Sequence, residues 1–379
     1  MSIINHNFYY YVDDYMIERR QHSGVWNLGS FEDNNYWYIE FKKPLYQVSK
    51  VIPPFALDKI INSDYHLMLC NSHEAFHEVV EQIYEHIIIA LGIPADKVTL
   101  LSESADVHHE VKVVAAKYNM PEIKCKWTRV FEHSCQTEKV EYLKDNDDVV
   151  TLEDKPYEKK FLNFNRRWRL QRPTLVALLY SIGILEKGFV SLGPCDDKND
   201  WTTVWPWIEA QNSTNEETSK LLADNKFHIC NIPPMYLDHH DLTVNRPLIE
   251  AYSTNRLYNN SYVSVVTETN FYKVQPGRFV SEKVFKPIAQ RHPFVLVSVP
   301  RTLDLLRDLG YKTFSPWIDE SYDLEPDDNK RLLMVAREIE RLSNLTPDEL
   351  TSYLNGVRDI CEYNLNVLLS KKTFMDDLN

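Results

Sequence analysis

The sequence predicts an α/β protein of two domains, each a parallel sheet covered by helices. Three observations carry that expectation. Short apolar runs of strand type alternate with stretches of helical periodicity, in two successive series. Between the series, residues 139–160, "KVEYLKDNDDVVTLEDKPYEKK", are polar and acidic without apolar rhythm, and read as a linker. The chain has 379 residues and is 44% hydrophobic, enough to build two cores.

The elements follow in order. Tyrosine-rich runs near the start, "NFYYYVDDY" and "NNYWYIEF", read as short strands separated by turns. "EAFHEVVEQIYEHIIIALGI" has apolar residues at helical spacing and stops at Gly92. "KVTLLSES" is a buried strand, "HHEVKVVAAKYNM" a helix and "EIKCKWTRVF" a further strand. After the linker, strand "KFLNFN", helix "RPTLVALLYSIGIL" and strand "GFVSLG" restart the alternation. "DDKNDWTTVWPW" and "NSTNEETSK" read as irregular. Strand "SYVSVVTET", helix "SEKVFKPIAQ", strand "PFVLVS", helix "RTLDLLRDLG" and strand "YKTFSPW" complete the second series, and a helical tail follows. The expected division is an N-terminal domain over 1–140, a linker over 141–159, a second domain over 160–345 and a C-terminal helix over 346–379.

Composition excludes several function classes. A net charge of −13 argues against a body that grips nucleic-acid phosphates. Six scattered cysteines without a CxxC pair fit reduced thiols better than disulfides or a zinc site, and no metal site is expected. The start lacks a basic segment followed by an apolar one, and no apolar run reaches the ~18 residues of a membrane span. A soluble, cytoplasmic protein is expected. With 9 glycines and neither GxGxxG nor GxxxxGK[ST], a dinucleotide dehydrogenase and a P-loop NTPase are both disfavoured.

Two helix starts carry a charge that their dipole disfavours. In "FVSEKVFKPI", Ser281 is a natural N-cap and Glu282 a favourable first residue, yet Lys283 places a cation in the first turn. In "FLNFNRRWRLQRPTLVALL", Pro173 suits the first helical position, which puts Arg172 at or near the N-cap. Arg166, Arg167 and Arg169 fill the loop before it. Both starts follow predicted strands, and ligands of open α/β sheets bind beyond strand carboxyl ends. Cations gathered there with free backbone N–H groups suit a phosphate-bearing ligand. The bland reading is an ordinary Glu282–Lys286 surface pair and a solvated arginine loop.

The stretch "VSVVTETNFY…FVSEKVFKPIAQRHPFVLV", with "FLNFNRRWRLQRPTLVALL" upstream, resembles the donor domain of the GT-B glycosyltransferases, and within them the α-1,3-fucosyltransferase family. The similarity covers roughly residues 160–315. It implies two Rossmann-like domains around a central cleft, with C-terminal helices of which the last returns to the N-terminal domain. It also implies an inverting, metal-independent transfer of a hexosyl or deoxyhexosyl unit to a hydroxyl of a glycan or other acceptor. No cofactor is implied beyond the substrate, a nucleotide-sugar, with GDP-fucose the family's donor. By resemblance Glu282 holds the ribose hydroxyls, Lys283 and Arg172 the pyrophosphate, and Glu268 approaches the sugar or ribose. The sequence departs from the family where Ser281 replaces threonine, Thr269 separates Glu268 from Asn270, and Pro287 stands inside the helix. The alternatives are a transferase with another donor acting on a DNA base or small acceptor, and a non-catalytic carbohydrate-binding or scaffold protein of the same fold.

An inverting transfer needs a base. Glu103, in "TLLSESAD", ends a predicted strand and is the candidate, against a reading as a helix-capping or solvated carboxylate. His108, His109, Glu132 and His133 lie at comparable junctions. "PCDDKND", with Asp196, Asp197 and Asp200, reads as an acidic loop rather than a metal-binding DxD. "DHHD", Asp238 to Asp241, is too compact a run to converge on one ion.

Overall fold

The computed structural model describes residues 29–33, 36–40, 52, 54–71, 78–145, 150–193, 200–237, 255–272 and 277–371. The tyrosine-rich run at 8–15, Asp196, Asp197 and Asp238–Asp241 lie outside them. The described residues form two compact units. One runs up to His133 and takes in 277–279; the other comprises Ser134 to 272 and 280–371. Both are α/β with mainly parallel sheets, the class the alternation predicts. No described helix is long and apolar enough to cross a membrane.

The first unit contains strands β1 (Gly29–Asp33), β2 (Tyr36–Glu40), β3 (His66–Asn71), β4 (Val98–Ser102) and β5 (Lys124–Trp127), hydrogen-bonded in that order. β1 and β2 are antiparallel, and every later step is parallel. Helices α1 (Pro54–Asn62), α2 (Val79–Ile83, running on as a π-helix over Tyr84–Ile89) and α3 (Val107–Tyr118) connect the parallel strands. Leu69 lies opposite Leu100 in register. Both are buried with Ile60, Ile83, Ile87, Val107 and Val111, and each such side chain contributes ~1.5–3 kcal/mol. The sequence runs as near-continuous apolar strands because helices cover the sheet. The Gly277–Phe279 segment is held here by Asp106: the Arg278 backbone N–H donates to its carboxylate at 2.7 Å and the guanidinium at 2.8 Å.

α4 (Val130–Asp145) then runs into the segment expected as a linker. The second unit is built on β6 (Phe161–Asn163), α5 (Gln171–Ser181), β7 (Gly188–Val190), α6 (Trp201–Asn212), α7 (Glu216–Ile229), α8 (Asn255–Asn259), β8 (Val263–Thr267), α9 (Glu282–Ala289), β9 (Phe294–Val297), α10 (Thr302–Asp308), α11 (Asp328–Ser343) and α12 (Pro347–Ser370). Its strands lie in the order β7-β6-β8-β9, all parallel. The chain leaves β6 towards β7, then returns past β6 to β8. The carboxyl ends of β6 and β8 therefore flank a topological switch point, where such sheets open a crevice. α5 starts from one of those ends and α9 from the other.

Two sequence expectations are corrected. The stretch read as irregular is the helical pair α6 and α7. Asp200 caps α6 by accepting the Thr203 N–H at 2.6 Å, and Asn215 caps α7 by accepting that of Thr218 at 2.9 Å. Trp201, Trp205 and Ile208 bury one face of α6 despite Pro206. "YKTFSPW" is not a strand. Its backbone donors turn elsewhere: the Tyr311 N–H goes to the Leu306 carbonyl, that of Lys312 to the Asn364 side chain, and those of Phe314 and Ser315 to the Glu320 carboxylate.

Candidate functional site

The switch point of the second unit gathers most of the residues singled out by sequence. Its floor is a buried polar ladder at the end of β6. Asn163 donates to the Val265 carbonyl at 2.6 Å, Asn165 donates to Asn163, and Thr267 donates to Asn165. Asn165 N–H in turn donates to Ser191 Oγ at 3.0 Å. A ladder in which each amide and hydroxyl is paired specifies one arrangement of the strand ends.

The loop from β6 to α5 folds over this floor. α5 begins at Gln171, so Arg172 is its second residue rather than its N-cap and Pro173 its third, two positions later than the sequence predicts. Arg172 is 4% exposed, and its guanidinium donates to the Arg167 carbonyl at 2.9 Å and the Thr267 carbonyl at 3.2 Å. Gln171 donates to the Glu268 carbonyl at 2.8 Å. Arg172 thus ties the arginine loop to the end of β8, while Arg166 and Arg167 are exposed. The loop is pressed on Gly193, where an added Cβ would stand 1.8 Å from the Arg166 carbonyl oxygen. Trp168 also donates to the Gly193 carbonyl, at 2.8 Å. Gly193→Ala is therefore expected to displace the loop and cost about 1–3 kcal/mol. Denaturant unfolding measures that loss, and an unshifted midpoint would show that the loop yields freely.

The start of α9 meets the same place. Ser281 is its N-cap, as expected, and accepts the Lys283 N–H at 3.3 Å. Glu268, fully buried, accepts both the Ser281 N–H at 2.9 Å and its hydroxyl at 2.6 Å. Burial pushes the Glu268 carboxyl up, with Lys283 pulling it back. Lys283 Nζ donates to Ser281 Oγ at 3.0 Å and to Glu282 Oε1 at 2.9 Å. Burial would raise the Glu282 carboxyl, but Lys283 and Lys286 outweigh it and hold it at about 2. The cation that the dipole disfavours thus sits between two carboxylates. Arg172, Glu268, Glu282 and Lys283 form one contact chain through Thr267 and Ser281. Asn163, Asn165, Gln171 and Ser281 are parts of it that sequence reasoning passed over as strand or cap residues.

Glu103 belongs to the first unit, just after the end of β4. It is 2% exposed, and its Oε1 accepts the Thr128 hydroxyl and, at 2.9 Å, the Val130 N–H at the start of α4. It therefore caps a helix, one of the two bland readings. Burial pushes its carboxyl up to about 7, with Thr128, Val130 and Arg129 lowering it and Glu132 raising it. Oε2 takes no hydrogen bond among the described residues. Arg129, at φ 52, pairs with Glu132 at 3.1 Å. His108 faces Cys125 at 3.2 Å instead. Among the described residues no three His, Cys, Asp or Glu side chains gather as a metal site.

No protein-family model matches the chain. No curated protein matches it either. Among solved structures it is similar to a UDP-forming alpha,alpha-trehalose-phosphate synthase from Burkholderia xenovorans, at 11% identity over 88% of this chain and 78% of that one, with a TM-score of 0.37. The corresponding synthase from Burkholderia vietnamiensis shares 13% identity over 88% of this chain and 75% of that one, with a TM-score of 0.37. The N-terminal domain of Candida albicans trehalose-6-phosphate phosphatase shares 10% identity over 85% and 72%, with a TM-score of 0.33.

Proposed function

We propose that the chain is a nucleotide-sugar-dependent glycosyltransferase of GT-B type that moves a hexosyl or deoxyhexosyl unit to a hydroxyl. The observation that supports this reading is the convergence of two cation-bearing helix starts on the switch point of one parallel sheet. In it Lys283, Arg166 and Arg167 meet the diphosphate and Glu282 the ribose. Glu268 sets the N-cap serine, and Arg172 braces the arginine loop. As the glycosidic bond breaks, negative charge grows on the leaving diphosphate. Fixed cations that tighten at that moment stabilise the transition state more than the bound donor. GDP-fucose is the first donor to try, by the sequence resemblance alone.

A thermal-shift panel of GDP, UDP, ADP and their sugars tests the reading. A shift with one nucleotide family supports it and names the donor base. Shifts with none favour the non-catalytic alternative, which the internal neutralisation of Lys283 by Glu282 also fits.

Glu103 is the proposed base, and its pH behaviour carries a sign. The folded protein keeps its proton at pH values where the unfolded chain has lost it. That favours folding fully below about 4.5, and the contribution, up to about 3 kcal/mol, is lost as pH rises through about 7. Transfer requires the ionised form, so the rate is expected to climb through about pH 7. Arg129→Gln should move that limb upward and Glu132→Gln downward. Limbs that stay put in both variants would remove Glu103 from the base role.

A further inference from the structure

We propose that Asn71 is a ligand for the acceptor hydroxyl, acting beside Glu103; this rests on the glycosyl-transfer reading. Asn71 is the last residue of β3, it is 0% exposed, and neither its Nδ2 nor its Oδ1 has a hydrogen-bond partner among the described residues. A buried polar group left unpaired costs about 1–3 kcal/mol, and an amide offers two such groups. The rest of β3 from Leu67 to Cys70 is buried and apolar, so a leucine at this position would continue the pattern.

The other polar groups of this edge are accounted for. Ser102, opposite Asn71 in register, accepts the Ser104 N–H at 3.1 Å through its hydroxyl. Ser104 donates to Glu110 at 2.6 Å, and Thr128 donates to Glu103. Arg129 and Glu132 neutralise each other. Of these groups, the ones without a partner among the described residues are the Asn71 amide and Oε2 of Glu103. The two residues adjoin, because Glu103 donates its N–H to the Asn71 carbonyl at 3.3 Å.

That pair is what an attacking hydroxyl requires. An amide N–H donates to a lone pair of the oxygen and orients it, and a carboxylate oxygen takes its proton. The acceptor O–H proton passes to Glu103 as the new O–C1 bond forms. The C1–O bond to the donor diphosphate breaks with its electron pair leaving on the phosphate oxygen. With the local charges paired, the ligand chemistry is that of a neutral polyol, such as a sugar hydroxyl, rather than an ion.

The test is Asn71→Leu in the full chain. Because it removes an unpaired buried amide, the variant is expected to unfold at an equal or higher denaturant midpoint. Its KM for the acceptor should rise about tenfold or more, while its KM for the sugar-nucleotide stays within twofold. An acceptor KM that stays within twofold overturns the proposal, as does a clear loss of stability, which would mark an ordered water or other structural partner. A second measurement needs no turnover: the side-chain amide signal of Asn71 in 15N-labelled protein, titrated with a panel of neutral mono- and disaccharides. A sugar-induced shift of that signal supports the site, and no shift with any sugar overturns it. A wild type that neither binds nor hydrolyses any sugar-nucleotide fails the parent reading instead, whatever the amide signal does.

Discussion

Lys283→Ala is expected to lower kcat/KM for the donor about 10²- to 10³-fold, the usual loss when one fixed donor to a developing oxyanion is removed. The thermal shift given by the preferred nucleotide should vanish with it. The reason lies at the start of α9. Lys283 holds Ser281 and Glu282 in one arrangement, and without it two carboxylates face the helix start with no cation between them. The lysine side chain is 28% exposed, so the unliganded protein should lose no more than about 1 kcal/mol. Lys283→Arg keeps the charge but replaces a compact ammonium with a planar fork, and partial activity is expected. A nucleotide shift undiminished in Lys283→Ala would remove the residue from the phosphate role. A fall in unliganded stability of several kcal/mol would make it a structural lysine.

Arg331→Met is expected to cost stability rather than chemistry, about 3–5 kcal/mol. Arg331 is 1% exposed. It donates to the carbonyls of Ser298 at 3.1 Å, Glu325 at 2.9 Å and Phe271 at 2.6 Å, and to Asp328 at 2.6 Å. Its guanidinium also lies 4.4 Å over the Phe271 ring. One side chain thus ties the chain just beyond β8 and β9 to the first turn of α11. A methionine fills the space and leaves those carbonyls and a carboxylate without their donor. Chemical denaturation followed by tryptophan fluorescence measures the loss, with the two units free to unfold in separate steps. A midpoint lowered by less than the equivalent of about 1 kcal/mol would mean that water or a neighbour takes over these carbonyls.

Much of this was legible in the sequence, and the exceptions share a cause. Strands β4, β6, β8 and β9 show themselves as apolar runs, and Ser281 declares the start of α9, because those signals are local. α6 and α7 were hidden. Their caps, Asp200 and Asn215, sit among other polar residues, and Pro206 breaks the apparent rhythm of Trp201, Trp205 and Ile208. Asn163 and Asn165 look like turn-formers until their partners Val265 and Thr267, about a hundred positions on, are in place. Arg331 reads as one more surface cation of an amphipathic helix. Glu103 reads as a loop carboxylate, since its environment depends on Thr128 and Val130 from a later strand end.

The segment around Arg278 carries a consequence for how such a protein can be taken apart. A fragment stopping at His133 would retain Asp106 but lose the guanidinium and backbone amide that neutralise it. A cut at His133 therefore breaks that ion pair, because 277–279 belongs to the first unit although it follows β8 in the sequence. A recombinant replacing everything after His133 would have to supply a basic residue at the place of Arg278 to keep Asp106 paired.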